Sequence, residues 1–313
     1  MSISDIVISK LLASGEDVFR FDVDAFARGE ITIEISSRGS CGSDTIRNAD
    51  RAISFANVKS VWYRRPNHLA LRVKDPIQRE YAEKEIRLFL DAVWFLLEQK
   101  NVFFLSRPSA IEIARRKLFQ IELARKFGMT VPETLITNDP EKILAFHAVC
   151  PHGMIFKAVN HEFLSYGEKS YNIPTTLITA EHMKRIGLVK RSPGIFQELI
   201  LKAYELRVTV VGGKFFPVKI DSQKNALAVI DWRNPLCVDK LDYSQVALDS
   251  RVEDFCLRML RELRIEFGAF DFIVDPTGKI YFLEVNPNGQ WYWIENLTGA
   301  LISDAIVDIL RLA

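Results

Sequence analysis

The sequence predicts an α/β protein with α+β subdomains, packed as two or three units. Its 313 residues exceed what one small hydrophobic core usually organises. Short apolar runs alternate with amphipathic helical segments over roughly the first hundred residues, and strand-like runs dominate from Phe196 onward. Hydrophobic residues make up 48% of the chain, so burial of a large core is expected.

Composition excludes several function classes. Lys and Arg total 41 against 40 Asp and Glu, so no net field favours nucleic acid or an acidic membrane as a partner. The four cysteines form no C-x-x-C pair and are expected to be reduced thiols. The longest apolar stretch, residues 92–97, is too short to span a bilayer, and the first ten residues are not typical of a signal peptide. We therefore expect a soluble cytoplasmic protein.

The N-terminal part alternates strands and one long helix. Residues 58–63 predict a strand that ends before Pro66, because proline cannot continue a central strand. Residues 77–100 predict an amphipathic helix, followed by a short strand at 102–105. The apolar residues that recur at helical spacing in this helix are Ile86, Leu90, Val93 and Leu97.

The remaining elements are predicted from caps, turns and apolar runs. A capping box at Ser109-x-x-Glu112 predicts a helix that ends near Gly128. A strand at 154–159 carries Lys157, and the polar, aromatic segment 160–178 predicts a hairpin or a mobile loop. Further strands are predicted at 196–200, 205–211, 215–220, 226–231, 268–274 and 279–285, with helices at 249–263 and 300–312.

The last predicted hairpin carries the strongest chemical signal. Asp275-Pro-Thr-Gly278 is typical of a tight turn, and a two-residue turn pairs Asp271 with Phe282. Glu284 and Asn286 then share the face of Asp271, unless a bulge at the turn shifts the register. Such an all-oxygen group suits Mg²⁺. The alternative is a solvated face with ordinary charges, but carboxylates within such apolar strands need partners or a metal.

These residues resemble the metal-binding signature of the ATP-grasp superfamily. Glu284-Val-Asn286 begins thirteen positions after Asp271, as in that signature. The resemblance implies ATP and two Mg²⁺ ions, the latter held by these three side chains. It also implies phosphate contacts from Lys117 and Lys157 and a ribose contact from Glu205. The hinge strand that holds adenine through backbone groups corresponds to Gln197, Glu198, Leu199 and Ile200.

A narrower resemblance, to the microviridin-type (graspetide) peptide maturases, covers nearly the whole chain. It is carried by Val61-Trp-Tyr-Arg-Arg-Pro66, Glu205-Leu-Arg-Val208, Lys219-Ile-Asp-Ser-Gln223, Asp231-Trp-Arg233 and Leu283-Glu-Val-Asn-Pro-Asn-Gly-Gln-Trp291. It implies an N-terminal pre-ATP-grasp domain at 1–105, a central domain at 106–195 and a C-terminal domain at 196–313, with the nucleotide between the last two. The implied activity joins Asp or Glu side chains of a ribosomal precursor peptide to Ser or Thr as esters, or to Lys as amides.

Further residues are candidates for the chemistry. Arg207 lies two residues after Glu205 on the same strand face, where its guanidinium suits the γ-phosphate or the acceptor carboxylate. Lys219 and Arg233 are candidates for the same charged site, Asn288 for the nucleotide and Asp231 for a general base.

Peptide-binding residues are predicted in two places. Arg64 and Arg65 are candidates for the acidic core of the precursor, although a solvated strand end explains them equally well. Phe163, Tyr166 and Tyr171 are candidate anchors for its leader segment, and a simple mobile loop is the alternative. The family resemblance also implies a homodimer.

Two other functions remain open at this point. One is an ATP-grasp ligase for an amino acid, a small molecule or a protein tail. The other is a non-catalytic ATP-binding protein, which the intact metal and lysine positions disfavour. The sequence has no Walker A motif and no G-x-G-x-x-G, so a P-loop or Rossmann nucleotide site is not expected.

Overall fold

The computed structural model describes residues 3–36, 44–64, 71–100, 102–159, 164–166, 169–171 and 173–312. Within these ranges, no helix is long and apolar enough to cross a membrane.

The N-terminal region combines a small antiparallel sheet with a parallel strand pair. Its strands are β1 (Thr32–Glu34), β2 (Thr45–Arg47), β3 (Ala52–Ser54), β4 (Ser60–Val61) and β5 (Phe103–Phe104). Its helices are α1 (Ile3–Ala13), α2 (Val23–Ala27), α3 (Pro76–Glu98) and α4 (Pro108–Ala114). The parallel strands β4 and β5 are joined through α3, which buries one side in the N-terminal core.

The predicted long helix is confirmed as α3. Asp75 caps it by accepting a hydrogen bond from the Gln78 N–H at 2.8 Å, and Pro76 occupies the first turn. Leu90, Val93 and Leu97, predicted as part of the apolar stripe, are buried.

The helix predicted to run from Ser109 to Gly128 is instead two helices, α4 and α5 (Lys117–Lys126). The predicted capping box is wrong because the Ser109 hydroxyl donates to the Glu98 carboxylate, at 2.6 Å. The chain is extended at Arg116, where the two helices meet. The buried Gln120 side chain donates to the Ala114 carbonyl at 2.6 Å, which stabilises this break.

The central region is a four-stranded antiparallel sheet covered on one face by a helix. Its elements are β6 (Thr134–Thr137), α6 (Pro140–Val149), β7 (Met154–Lys157), β8 (Leu164–Tyr166), β9 (Lys169–Tyr171), β10 (Thr176–Leu177), α7 (Ala180–Lys184) and β11 (Gly194–Glu198). The sheet order is β10-β7-β11-β6, and β8 pairs with β9 as the predicted hairpin. Ile143 of α6 packs with Met154 and Phe196 in a small core.

The C-terminal region is a five-stranded antiparallel sheet with helices on both faces. Its elements are β12 (Tyr204–Val211), β13 (Lys214–Ile220), β14 (Tyr243–Gln245), α8 (Ser250–Leu263), β15 (Phe267–Val274), β16 (Ile280–Asn286), α9 (Tyr292–Thr298) and α10 (Ile302–Arg311), in the sheet order β14-β13-β12-β15-β16. One face packs on α4, α5 and α8 in a core rich in phenylalanine. On the other face, α9 and α10 cover one half of the sheet and leave a polar half.

The strand predicted at 226–231 is wrong. This segment consists of turns that surround a small core of Ala228, Trp232 and Cys237. The Asn225 side chain accepts from the Leu227 N–H at 3.1 Å, and a local bond of this kind favours a turn over a strand.

Candidate active site

The polar half of the C-terminal sheet places cations and carboxylates opposite one another. Arg207 of β12 lies directly across from Asp271 of β15, which lies directly across from Glu284 of β16. Asn286 pairs with Ala269, two residues along, so its side chain lies on the same face. Arg207 Nη1 donates to both Asp271 oxygens at 2.7 Å, and both residues are buried.

The register of this hairpin differs from the prediction. Phe282, predicted to face Asp271, pairs with Phe272 and lies in the phenylalanine-rich core. Two one-residue shifts cause the difference: Gly278 adopts a left-handed conformation in the turn, and the pairing is irregular between Asp271 and Phe272. Each shift reverses the alternation of side chains, so together they leave Glu284 on the predicted face.

Two cations hold the Glu284 carboxylate. Lys117 Nζ lies 3.3 Å from Glu284 Oε2, and Arg233 Nη1 donates to Glu284 Oε1 at 3.1 Å. Lys117 begins α5, whose Gln120 side chain exchanges two hydrogen bonds with the backbone of Val285, each 2.8 Å long. This amide, which the sequence analysis missed, fixes the start of α5 beside β16. Burial lowers the pKa of Lys117, and Glu284 offsets part of that effect.

Lys157 reaches the same site from the central sheet. Its Nζ donates to Gln197 Oε1 at 2.8 Å, and burial lowers the pKa of Lys157 to about 8. The pocket between the two sheets contains about 310 Å³ of space free of protein atoms, including its open mouth. Its lining comprises Lys117, Lys157, Glu205, Trp232, Arg233, Asp271, Leu283 and Glu284.

Glu205, which lines this pocket, forms a buried ion pair. Lys202 Nζ donates to Glu205 Oε1 at 2.6 Å and to the Ile230 carbonyl at 3.1 Å. Burial raises the pKa of Glu205, and the Lys202 charge opposes that rise. Lys202 is a second residue that the sequence analysis missed, because its spacing from Glu205 reveals no chemistry without the fold.

Asp231 and Arg233 form a unit rather than two independent groups. Asp231 oxygens accept from Arg233 Nε at 2.9 Å and from Nη2 at 3.0 Å. Burial alone raises the pKa of Asp231, but the Arg233 charge and hydrogen bonds outweigh it and lower the pKa to about 2. Such a weak base disfavours the predicted role of Asp231 as a proton acceptor and favours one in orienting Arg233.

Lys219 does not join the cluster. It pairs with Leu206, so it lies on the opposite face of the sheet from Arg207. There its Nζ contacts Asp221 Oδ1 at 2.8 Å and lies 5.0 Å from the centre of the Tyr204 ring.

The loop after β16 is held from two directions. Asn286 Oδ1 accepts from the Asn288 N–H at 3.1 Å, and the Asn288 residue is buried. Arg64 Nη1 donates to the Asn288 carbonyl at 2.6 Å and its Nη2 donates to Gln290 Oε1 at 3.1 Å. Arg207 Nη2 donates to the Gln290 carbonyl at 3.3 Å. Arg64 therefore connects the N-terminal region to the loop after β16.

The hinge residues have part of their backbone engaged inside the protein. The Glu198 N–H donates to the Glu133 carbonyl at 3.0 Å, and the Leu199 N–H donates to the Gly153 carbonyl at 2.9 Å. Ile200 follows the end of β11.

The remaining peptide-binding candidates lie in or beside undescribed segments. Arg65 and Phe163 lie outside the described residues. Tyr166 and Tyr171 end the two paired strands β8 and β9.

The predicted metal ligands fit Mg²⁺ by their chemistry. Two carboxylates and one amide oxygen lie on one sheet face, and each carboxylate is balanced by a cation. Within the parts of the chain that the structure describes, no three His, Cys, Asp or Glu side chains form a metal-holding group. A Mg²⁺ ion at this site would therefore need the Asn286 oxygen and further oxygens from water or phosphate groups, which is usual for Mg²⁺ bound beside phosphates.

Comparison with known proteins identifies the family. A protein-family model, the MvdD pre-ATP grasp domain, matches residues 1–112. The macrocyclase MdnC of Microcystis aeruginosa, crystallised with its precursor peptide MdnA, is 30% identical over 98% of this chain and 95% of MdnC, with a TM-score of 0.86. The chain belongs to the ATP-grasp macrocyclase family. This membership confirms the predicted ATP-grasp fold and the predicted resemblance to graspetide maturases.

Other solved structures resemble this chain. A RiPP-associated ATP-grasp ligase of Chryseobacterium gregarium, crystallised with ADP and a leader and core peptide, is 28% identical over 98% of this chain and 92% of its own, with a TM-score of 0.88. The macrocyclase MdnB of Microcystis aeruginosa is 29% identical over 99% and 95%, with a TM-score of 0.81. PsnB, crystallised with a minimal precursor, Mg and ADP, is 21% identical and shows likeness of fold alone. No curated protein sequence matches the chain.

Proposed function

We propose that this ATP-grasp ligase closes macrocycles in a ribosomal precursor peptide. The γ-phosphoryl group of ATP passes to an Asp or Glu side chain of the peptide, which yields ADP and an acyl phosphate. A Ser or Thr hydroxyl, or a Lys amine, of the same peptide then attacks the acyl carbon. Inorganic phosphate leaves, and an ester or an amide closes the ring with the net loss of one water from the peptide.

One observation carries this proposal: the pocket brings three cations from separate elements of the fold to one carboxylate pair. Lys117, Lys157 and Arg233 line a single pocket with Asp271 and Glu284. Phosphoryl transfer to a carboxylate brings anions together, so the main task of the protein is to position them and to neutralise their charge. The fold that this chain shares with MdnC supports the same chemistry.

Within this scheme, Asp271, Glu284 and Asn286 hold two Mg²⁺ ions. When bound, the ions would neutralise charge on the nucleotide phosphates. Lys117 and Lys157 bind the phosphates, and Arg233 orients the acceptor carboxylate. Support comes from the placement of both carboxylates on one sheet face with Asn286, each within reach of a cation.

We place the nucleoside beside Glu205 and the hinge residues. The Glu198 carbonyl and the Ile200 N–H hold the adenine, since the N–H groups of Glu198 and Leu199 are engaged elsewhere. Glu205 accepts hydrogen bonds from the ribose hydroxyls, while the Lys202 charge opposes the rise that burial causes in the pKa of Glu205.

The leader of the precursor docks beside the pocket, in our proposal against the β8–β9 hairpin and the segment after it. Exposed basic residues follow the hairpin in sequence: Lys184, Arg185, Lys190 and Arg191. They suit a peptide with acidic side chains. Tyr166 and Tyr171 are the proposed aromatic anchors.

The enzyme acts as a homodimer in our proposal, and α3 supplies the contact. Tyr81, Leu88 and Phe95 are 66%, 68% and 58% exposed and follow one another at intervals of seven residues. This stripe is symmetric about Leu88, so a two-fold axis there pairs Tyr81 with Phe95 of a second copy. Leu88→Glu should convert the dimer to a monomer in light scattering, whereas Leu12→Glu on α1 should not. A wild-type monomer would contradict the proposal.

We also place the enzyme in the cytoplasm, where ATP and Mg²⁺ are available. The buried, unpaired thiols of Cys237 and Cys256 suit such a reducing compartment.

Intact mass spectrometry tests the activity. The cognate precursor peptide is incubated with ATP, Mg²⁺ and either the wild-type enzyme or Glu284→Gln as a control. We expect the loss of whole waters with the wild type and no loss with the variant. Base-labile products indicate esters and base-stable products indicate amides. If the precursor mass is unchanged while ATP is still consumed, the ligase acts on another acceptor.

A further inference from the structure

Three neighbouring strands of the central sheet place Thr134, Gln197 and Lys157 on one face. Gln197 of β11 lies directly opposite Thr134 of β6, and Lys157 of β7 lies opposite Ile195, two residues before Gln197. Because alternate residues of a strand share a face, the three polar side chains point to the same side of the sheet. The buried Gln197 lies between the other two.

A directional series of hydrogen bonds fixes the orientation of the Gln197 amide. The Thr134 hydroxyl donates to the Pro132 carbonyl at 2.8 Å, so its oxygen is an acceptor toward Gln197. Gln197 Nε2 donates to that oxygen at 2.9 Å. The amide oxygen must then face Lys157, and it accepts from Lys157 Nζ at 2.8 Å.

The partner of Lys157 differs in kind from those of the other two lysines at the site. Lys117 lies 3.3 Å from the Glu284 carboxylate, and Lys202 lies 2.6 Å from that of Glu205. A carboxylate neutralises an ammonium group, whereas a neutral amide orients it and leaves its charge available.

We propose that Gln197 is a positioning residue: oriented by Thr134, it directs Lys157 toward the nucleotide phosphates without neutralising its charge. This inference rests on the proposed function, which assigns phosphate contact to Lys157. It adds a side-chain role to a hinge residue whose predicted role was through its backbone.

Calorimetric titration with ADP and with adenosine tests the proposal on the whole enzyme, without any peptide. Gln197→Met removes the acceptor at similar volume and should weaken ADP binding roughly tenfold while adenosine binding stays within twofold of wild type. Gln197→Glu should weaken ADP binding as well, because it pairs Lys157 with a charge. A defect of the hinge itself would weaken both ligands alike.

Thr134→Val supplies a variant on a different strand. It should weaken ADP binding by itself and add less than twofold in the Gln197→Met background, because its effect passes through the amide. Equal loss of ADP and adenosine affinity in Gln197→Met, unchanged ADP affinity in that variant, or unweakened ADP binding by Gln197→Glu would each overturn the inference.

Lys157→Met separates this inference from the proposed function. It should weaken ADP binding more than any Gln197 variant and leave adenosine binding intact. If Lys157→Met has no selective effect on ADP, the phosphate assignment of the proposed function is wrong. If Lys157→Met is selective and Gln197→Met is not, the role of Gln197 alone is wrong.

Discussion

Gly289 lies in the loop after β16, and a single methyl group added there should test how this loop is held against Arg207. Its backbone lies outside the left-handed region, so alanine causes no intrinsic strain there. A Cβ on Gly289 would lie 2.9 Å from Arg207 Nη2 and nearer still to the Ala269 Cβ, whereas ordinary contacts begin near 3.4 Å. Ala269 belongs to β15, an inner strand that cannot recede. The loop must therefore lift by about half an ångström or more, and it carries Asn288 with it.

The expected cost of Gly289→Ala is about 1–3 kcal/mol of unfolding free energy, as for other overpacked sites. In a chain of this size that lowers the melting temperature by about 2–4 °C. Displacement of Arg207 and the loop should also slow the ATP-dependent loss of water from the precursor by about tenfold. Calorimetry and mass spectrometry measure the two effects.

Gly187→Ala is the matched control for stability, since a Cβ there meets nothing within 4 Å and the backbone is not left-handed. It should leave the melting temperature unchanged. If Gly289→Ala matches the wild type in melting temperature and in turnover, then the close approach of the loop to Arg207 does not seat the site, and the reasoning fails.

Three further predictions concern charges in the pocket. Glu284→Gln should slow the formation of ADP from ATP by at least about a hundredfold, since it weakens a proposed metal ligand. A near-wild-type rate of ADP formation would contradict the metal assignment. Because burial lowers the pKa of Lys157 to about 8, the free enzyme loses this charge as the pH rises, whereas bound phosphates retain it. ADP affinity should thus be constant below about pH 7 and weaken about tenfold by pH 9. If Lys157→Met shows a similar decline in ADP affinity, the pH dependence belongs to another group. Lys202→Met leaves the Glu205 carboxylate buried without its cation, so unfolding should cost about 3–5 kcal/mol less; the added change Glu205→Met should restore much of this stability in denaturant titration.

Local patterns predicted the elements whose stabilising contacts are close in sequence. The helix α3 carries its own cap at Asp75 and a regular apolar stripe, and both are properties of the sequence. The break between α4 and α5 is different. It depends on Gln120, whose amide bonds Ala114 and Val285, and Val285 lies 165 residues away. No window of the sequence contains that contact, so the pattern predicts one continuous helix.

The candidate site likewise contains residues that the local sequence reveals and residues whose position depends on the fold. Charged residues are rare within apolar strands, because burying a charge is costly, so they stand out in the sequence. The site contains three such residues: Asp271, Glu284 and Lys157. Lys219 satisfies the same description, yet it lies on the opposite face. Only the register of β12 and β13 separates Lys219 from Arg207, and that register is set by pairing rather than by composition.

The β15–β16 hairpin shows why the face of a side chain is more predictable than its partner. Phe270, Phe272 and Phe282 all pack around Phe255 of α8. The shift at the turn alone brings Phe282 into this core, opposite Phe272. The same shift would also bring Glu284 into the core, opposite Phe270, where a buried carboxylate is costly. Any shift at the turn must therefore be compensated before Glu284, as the irregularity after Asp271 does. The hydrophobic pattern thus requires an even number of one-residue shifts before Glu284, which keeps Glu284 and Asp271 on the face of the pocket. How many shifts occur depends on the turn geometry.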